Sequence, residues 1–258
     1  RHIQNLKFYY MRKILLVIAV SCLCHITVSA QSKSKEQIQV TIDLNAIEKD
    51  KVPVTVLAPK IKTSEIVYHI PKIIPGTYSE DDYGRFIDDF KAYNKKGVYL
   101  DVTKIDDNSW KISDATQLAS IAYKVNDTYD IESTHSIFSP AGSNIEANKN
   151  ILINTHCFVG FFDGFKDVTY SINIPHPETL WGATSMTDKD ASKTNDVFTT
   201  TRYATLVENP IMYGKPDYTT FMINDMEILI AVSKRCSQSG SDCTCDENHD
   251  DGAKEFSW

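Results

Sequence analysis

The sequence predicts an all-β fold, an antiparallel β-sandwich-like domain, on three observations. Apolar and polar residues alternate at a period of two along several segments, as in strands with one buried and one solvated face. Turn-forming residues punctuate those segments. No long stretch carries the 3.6-residue period of an amphipathic helix.

The first alternating run holds Ile38, Val40, Ile42 and Leu44. The same period recurs at Val98, Leu100 and Val102, at Ile121, Tyr123 and Val125, and at Val168, Tyr170, Ile172 and Ile174. Turns are expected at Pro75-Gly76, Lys96-Gly97, Asp106-Asp107-Asn108, Pro140-Ala141-Gly142 and Gly214-Lys215-Pro216. The stretch YGRFIDDFKAYN fits a short helix or, through Phe86, Ile87 and Phe90, a strand edge. Near the end, EILIAV (227–232) reads as a buried strand.

Hydrophobic residues make up 42% of the 258 and charged residues 24%, enough for a real core. The net charge is −7 and the pI about 5.5, which argues against a nucleic-acid binder and a polybasic membrane surface. From Met11, MRKILLVIAVSCLCHITVSA reads as a secretory signal: Arg12 and Lys13, an apolar run, then Val28-Ser29-Ala30 as cleavage site. The expectation is export to the periplasm or medium, a mature chain starting at Gln31 and no membrane span after cleavage. A lipoprotein cleavage before Cys22 is disfavoured by Ala19, and the ten residues before Met11 read as translated upstream DNA.

Cys22 and Cys24 fall in the signal, Cys236, Cys243 and Cys245 in the tail, and Cys157 in the body, so no disulfide framework is expected. Between Ser233 and Trp258 there is no Leu, Ile, Val, Met or Tyr. The tail cysteines with His249 offer soft ligands for zinc or copper, but their spacing matches no Cys-x-x-Cys knuckle. A disulfide role and a disordered acidic tail are further readings. A frameshift is the fourth, and the one adopted: one permitted shifted reading of CDENHDDGAKEFSW is AMKTMMTAQKNFLG, an amphipathic helix with a C-terminal Gly.

The remaining motifs are weak. Glu80, Asp81 and Asp82 could bind calcium but lack EF-hand spacing, so a solvated loop is expected. His69 and His156 are read as strand residues at a sheet face, with a metal pair formed in space as the alternative. His176, between two prolines, is expected to be exposed, and Ser139 lacks the setting of a hydrolase nucleophile. Trp110, Trp181, Phe161 and Phe162 are read as core filling, with an exposed sugar- or peptide-stacking face as the rival.

Four stretches, taken in order, carry a resemblance. They are Pro71 with Pro75-Gly76-x-Tyr78 and a Phe-containing segment, IAYKVNDTYDIESTHSIFSPAG, ILINTHCFVGF with Asn154, and LVENPIMYGKPDYTTF with Asn209-Pro210-Ile211. Together they resemble the N-terminal domain of the glycyl aminopeptidase family of exported zinc metallopeptidases, peptidase family sixty-one of the thermolysin-like clan. The resemblance implies a non-catalytic domain over 31–214, the first strand of a catalytic domain within 215–232, and a shifted-frame tail over 233–258, after residues 1–30 of upstream and signal sequence. It also implies a catalytic-domain partner, a peptide substrate hydrolysed at its N-terminal bond, and zinc in the intact member. The family binds zinc through His-Glu-x-x-His on a helix. None of His2, His25, His69, His135, His156, His176 and His249 precedes a Glu or has a His four residues on. No catalytic, cofactor-binding or metal residue is therefore assigned in this chain. Two other classes stand beside this reading: a free-standing β-sandwich module for a glycan or peptide, and a metal-handling protein built on the tail.

Overall fold

The structure is a computed structural model that describes residues 37–129, 137–215 and 217–232. The segment expected to be a signal and the tail, with their cysteines and His2, His25 and His249, lie outside the described residues, as does His135.

Among the described residues three sheets and a hairpin build the fold, with strands numbered in chain order. The largest sheet has seven strands: β1 (Gln37–Ile42), β2 (Lys51–Leu57), β4 (Ile87–Asn94), β5 (Tyr99–Leu100), β8 (Leu118–Asn126), β12 (Thr169–Pro175) and β14 (Asn195–Thr200), ordered β14-β12-β1-β2-β8-β4-β5. A second sheet contains β3 (Glu65–His69), β6 (Val102–Asp106), β7 (Ser109–Ser113) and β11 (Phe161–Phe162), ordered β11-β3-β7-β6. The third contains β9 (Asn144–Glu146), β10 (Asn150–Ile153), β13 (Trp181–Ala183) and β15 (Ile211–Gly214), ordered β13-β15-β10-β9. The hairpin pairs β16 (Asp217–Ile223) with β17 (Met226–Val232). Helices are short: α1 (Thr155–Phe158) and α2 (Tyr203–Val207).

The period-two runs bury the faces they predict. Ile38, Val40 and Ile42, Ile121, Tyr123 and Val125, and Tyr170, Ile172 and Ile174 are all buried. Pro53 lies in β2 between two neighbours, an unusual place for a residue without an N–H. Its position works because β1 ends opposite Val54, and the Pro53 carbonyl accepts from Asp43 N beyond that end (3.1 Å).

Several expectations need correction. The large sheet is not wholly antiparallel, since β1 and β12 run parallel from Gln37 opposite Thr169. Alternation reports which face is buried and carries no direction. The run Val98, Leu100, Val102 breaks at Asp101, where the chain crosses from the first sheet to the second, and Val98, at the end of the turn before β5, is 56% exposed. YGRFIDDFKAYN resolves into a 3-10 turn over Tyr83–Phe86 followed by β4, with a bulge between Asp88 and Lys91. EILIAV is a strand, but in an open hairpin, with its residues exposed or only partly covered.

The first two sheets meet through aromatic rings. Phe90 stacks on Trp110 (4.8 Å) and on Tyr123 (5.7 Å), and Tyr68 packs against Phe90, Tyr123 and Phe162. The buried hydroxyls form a chain whose direction follows from counting protons. Gly160 N donates to Tyr68 Oη (2.7 Å), Tyr68 to Tyr123 (2.9 Å), and Tyr123 to the Phe158 carbonyl (2.7 Å). Burial holds both phenols well above the ordinary tyrosine range, so they remain protonated donors.

Removing one link orphans its neighbours. Tyr68→Phe leaves the buried Gly160 N–H without its acceptor and is expected to cost about 2 kcal/mol in urea unfolding. Leu57→Ala, at a side chain left 46% exposed, is expected to change stability by less than about 0.5 kcal/mol.

Candidate functional site

The four separated stretches singled out in the sequence converge on α1. Strand β10 ends at Ile153, and Asn154 then donates through Nδ2 to the carbonyls of Pro140 (3.1 Å) and Gly142 (2.6 Å), pinning the Ser139–Ala141 turn. Thr155 Oγ1 donates to the Leu206 carbonyl in α2 (2.8 Å). Tyr203 Oη donates to the Val159 carbonyl (2.7 Å). Gly160 passes so close to β3 that a Cβ there would stand 2.0 Å from the His69 carbonyl oxygen, which only glycine allows.

His156 is therefore a helix residue, not the strand residue expected, because the chain turns at Asn154 to bring its carbonyls under the tyrosines. Its Nε2 donates to the Ala141 carbonyl (3.0 Å), while Nδ1 is buried without a hydrogen-bond partner. The edge-on Tyr83 ring covers it at 4.5 Å. Burial pulls the imidazole pKa down to about 4, against the opposing pull of the Ala141 carbonyl and the Asp81 carboxylate. Next to it, burial pushes the Cys157 thiol up to about 12, which keeps it an inert core residue.

The acidic loop attaches to the same cluster. The loop is solvated as expected at Glu80, but Asp81 is fully buried and accepts from Ser79 Oγ and Tyr83 Oη, both at 2.8 Å. Its neighbours are engaged too: Glu80 pairs with Lys72 (2.8 Å), and Asp82 Oδ1 accepts from Asn108 Nδ2 (2.8 Å). Among the described residues no three His, Cys, Asp or Glu side chains gather as a metal site.

A cleft of about 450 Å³ opens beside this loop, lined by His69, Lys72, Asp82, Asp107, Ser109 and Phe161 among others. His69 joins Ser109 Oγ at Nδ1 (3.0 Å) and Asp163 Oδ1 at Nε2 (2.9 Å), and its ring stacks on Phe161. The trio has the composition of a hydrolase triad in an unsuitable arrangement. Ser109 is 7% exposed, while the carboxylate is the more solvated partner, so the hydroxyl is poorly placed to attack a carbonyl. Its evident work is to tie β3 and β7 to the segment after β11.

The other sequence candidates are dispersed. His176 is buried, not exposed, with Nε2 3.3 Å from Asp196 Oδ1 and Tyr213 packed on its ring. Ser139 opens a 3-10 turn and its carbonyl accepts from Tyr129 Oη. Trp110 and Phe162 fill the core as expected, and Phe161 is partly buried. Trp181 does not fill it: it is 41% exposed and meets Tyr218 of the hairpin at 4.9 Å.

That hairpin carries a run of exposed apolar side chains. Strand alternation puts Phe221 and Ile223 with Met226, Ile228, Ile230 and Val232 on one face, and Tyr218, which meets Trp181, on the other. Phe221, Ile223, Met226, Ile230 and Val232 are between 44% and 63% exposed.

The family description "Peptidase M61 N-terminal domain" matches residues 39–215. Among solved structures, an aminopeptidase N family protein from Idiomarina loihiensis superposes with a TM-score of 0.67 at 18% identity, over 77% of this chain and 32% of that one. The fold is thus shared, and this chain spans about a third of that protein's length. An M1 zinc metallopeptidase variant from Deinococcus radiodurans, bound to a Tyr-Ser-Ala substrate, aligns at 11% identity with a TM-score of 0.39, over 76% of this chain and 46% of that one. No curated protein sequence matches this chain.

His156 gives a pH signature. Its folded pKa of about 4 lies below the unfolded value of 6.5, so its neutral burial carries no penalty above pH 6.5. As pH falls from 6.5 to 4 the unfolded chain gains a proton that the fold refuses, removing about 3 kcal/mol. Urea unfolding across that window should show a flatter pH slope in His156→Gln than in the parent.

Proposed function

The chain belongs to the Peptidase M61 family through its N-terminal domain, and from that membership we propose that it is the exported, non-catalytic part of a zinc aminopeptidase. The complete enzyme would hydrolyse N-terminal peptide bonds with water activated on zinc. The zinc ligands would come from chain beyond the described residues. The catalytic domain is then this domain's partner, and peptide reaches it through that domain.

The observation that carries this reading is the hairpin. A two-stranded hairpin with one apolar face open to water is not a stable unit alone. Six apolar side chains on that face match a surface made to be covered by further structure, and Trp181 anchors the opposite face to this domain. Residues 215–232 are accordingly read as the beginning of the catalytic domain, and 233–258 as a shifted-frame reading of the helix that follows. The segment from Met11 to Ala30 is read as the export signal.

Two outcomes are expected. The 258-residue chain releases no amino acid from glycyl peptides with or without added zinc, whereas the complete gene product does so and is stopped by a chelator; turnover by the 258-residue chain itself would contradict the assignment. The open face also makes the chain self-associate in light scattering, and the pair Phe221→Lys with Ile230→Lys is expected to restore a monomer.

A further inference from the structure

We propose that Tyr78 is a substrate-contacting residue, the tip of a preorganised loop from Lys72 to Asp82 that this domain presents to the bound peptide. The inference rests on the aminopeptidase reading and goes beyond it, naming the element of this domain that meets substrate.

Tyr78 is a residue the fold does not need. Its side chain is 99% exposed, so its ring packs on nothing that stabilises the domain. Its backbone is left-handed at φ +58°, where glycine or asparagine is preferred and a bulky aromatic is a true outlier. Stability alone would place glycine there. A position that keeps a solvated aromatic in a strained conformation points to work done outside the fold.

The loop beneath it is fixed. Gly76 takes φ +97°, and Thr77 donates to the Ile74 carbonyl from both its N–H (3.3 Å) and its hydroxyl (2.8 Å). The amides of Asp81 and Asp82 both donate to the Lys72 carbonyl, at 3.0 and 3.1 Å, closing the loop at its base. Inside it the buried Asp81 carboxylate takes the hydroxyls of Ser79 and Tyr83. Tyr83 then leans on His156, which ties the loop to α1. A tip held this way loses little freedom when it meets a ligand, and a tyrosine has only two side-chain torsions to order. A peptide suits this contact: the ring covers a side chain or the flat amide, and the phenol donates to or accepts from the main chain.

The test uses Tyr78→Ala, Tyr78→Phe and Tyr78→Gly in the complete enzyme and in the 258-residue chain. In the complete enzyme, Tyr78→Ala is expected to raise KM for peptides about tenfold with kcat within twofold, and Tyr78→Phe, which keeps the ring, should recover most of that loss. In the 258-residue chain, Tyr78→Gly is expected to hold or raise Tm, as relief of a strained residue should. An unchanged KM in Tyr78→Ala overturns the inference while leaving the aminopeptidase reading intact. An unchanged KM with a lower Tm in the complete enzyme alone makes Tyr78 a peg between domains, which also overturns it. A complete gene product that hydrolyses no peptide removes both readings together.

Discussion

Gly160 N–H, Tyr68, Tyr123 and the Phe158 carbonyl form one directional hydrogen-bond chain across the junction of two sheets, and much of the fold depends on it. The backbone from Phe158 to Gly160 leaves a helical turn inside the core, where unpaired amides and carbonyls are costly. Three tyrosines satisfy it, Tyr203 taking the Val159 carbonyl between the other two. The same rings supply the aromatic packing between sheets, so one set of side chains provides apolar area and polar satisfaction together. Gly160 completes the constraint, because the backbone approaches His69 too closely for any side chain.

With that segment held, α1 becomes a fixed post on which distant loops hang. Asn154 seats the Ser139–Ala141 turn, Thr155 seats α2, and His156 meets Tyr83 at the foot of the acidic loop. Segments more than a hundred residues apart thereby share one rigid centre. The cost is a neutral buried histidine with one nitrogen unpaired, which makes the cluster acid-sensitive. Rigidity at this centre gives the exposed loop a defined shape, while the hairpin leaves an apolar face open.

Much of the sheet architecture was legible in the sequence, because the alternation at β1, β8 and β12 reports burial directly. The direction of the β1–β12 pairing was not, since both directions bury the same side chains. Nor was α1 legible: four residues cannot show a helical period, and NTHCF reads as well as a strand. The burial of His176 was not legible either, because its prolines describe the local chain, while Tyr213 and Asp196 arrive from other strands to cover it. The burial of Asp81 had one available signal, a tyrosine two residues on that could return a hydroxyl to it. Glu80-Asp81-Asp82 looks uniformly solvated otherwise, and tertiary packing alone separates the buried carboxylate from its neighbours. Likewise Tyr78 was visible as a motif residue, but its strain and exposure exist only in the folded loop.

The central claim is that this domain fronts a zinc peptidase, and the gene itself tests it most directly. Sequencing genomic DNA from the codon of Ile230 through that of Trp258 and onward would read the frame that follows the hairpin. The account predicts an added or missing base near Val232 and, in the corrected frame downstream, a His-Glu-x-x-His helix. A frame that runs unbroken through the codon of Trp258, with no such helix beyond it, would contradict it.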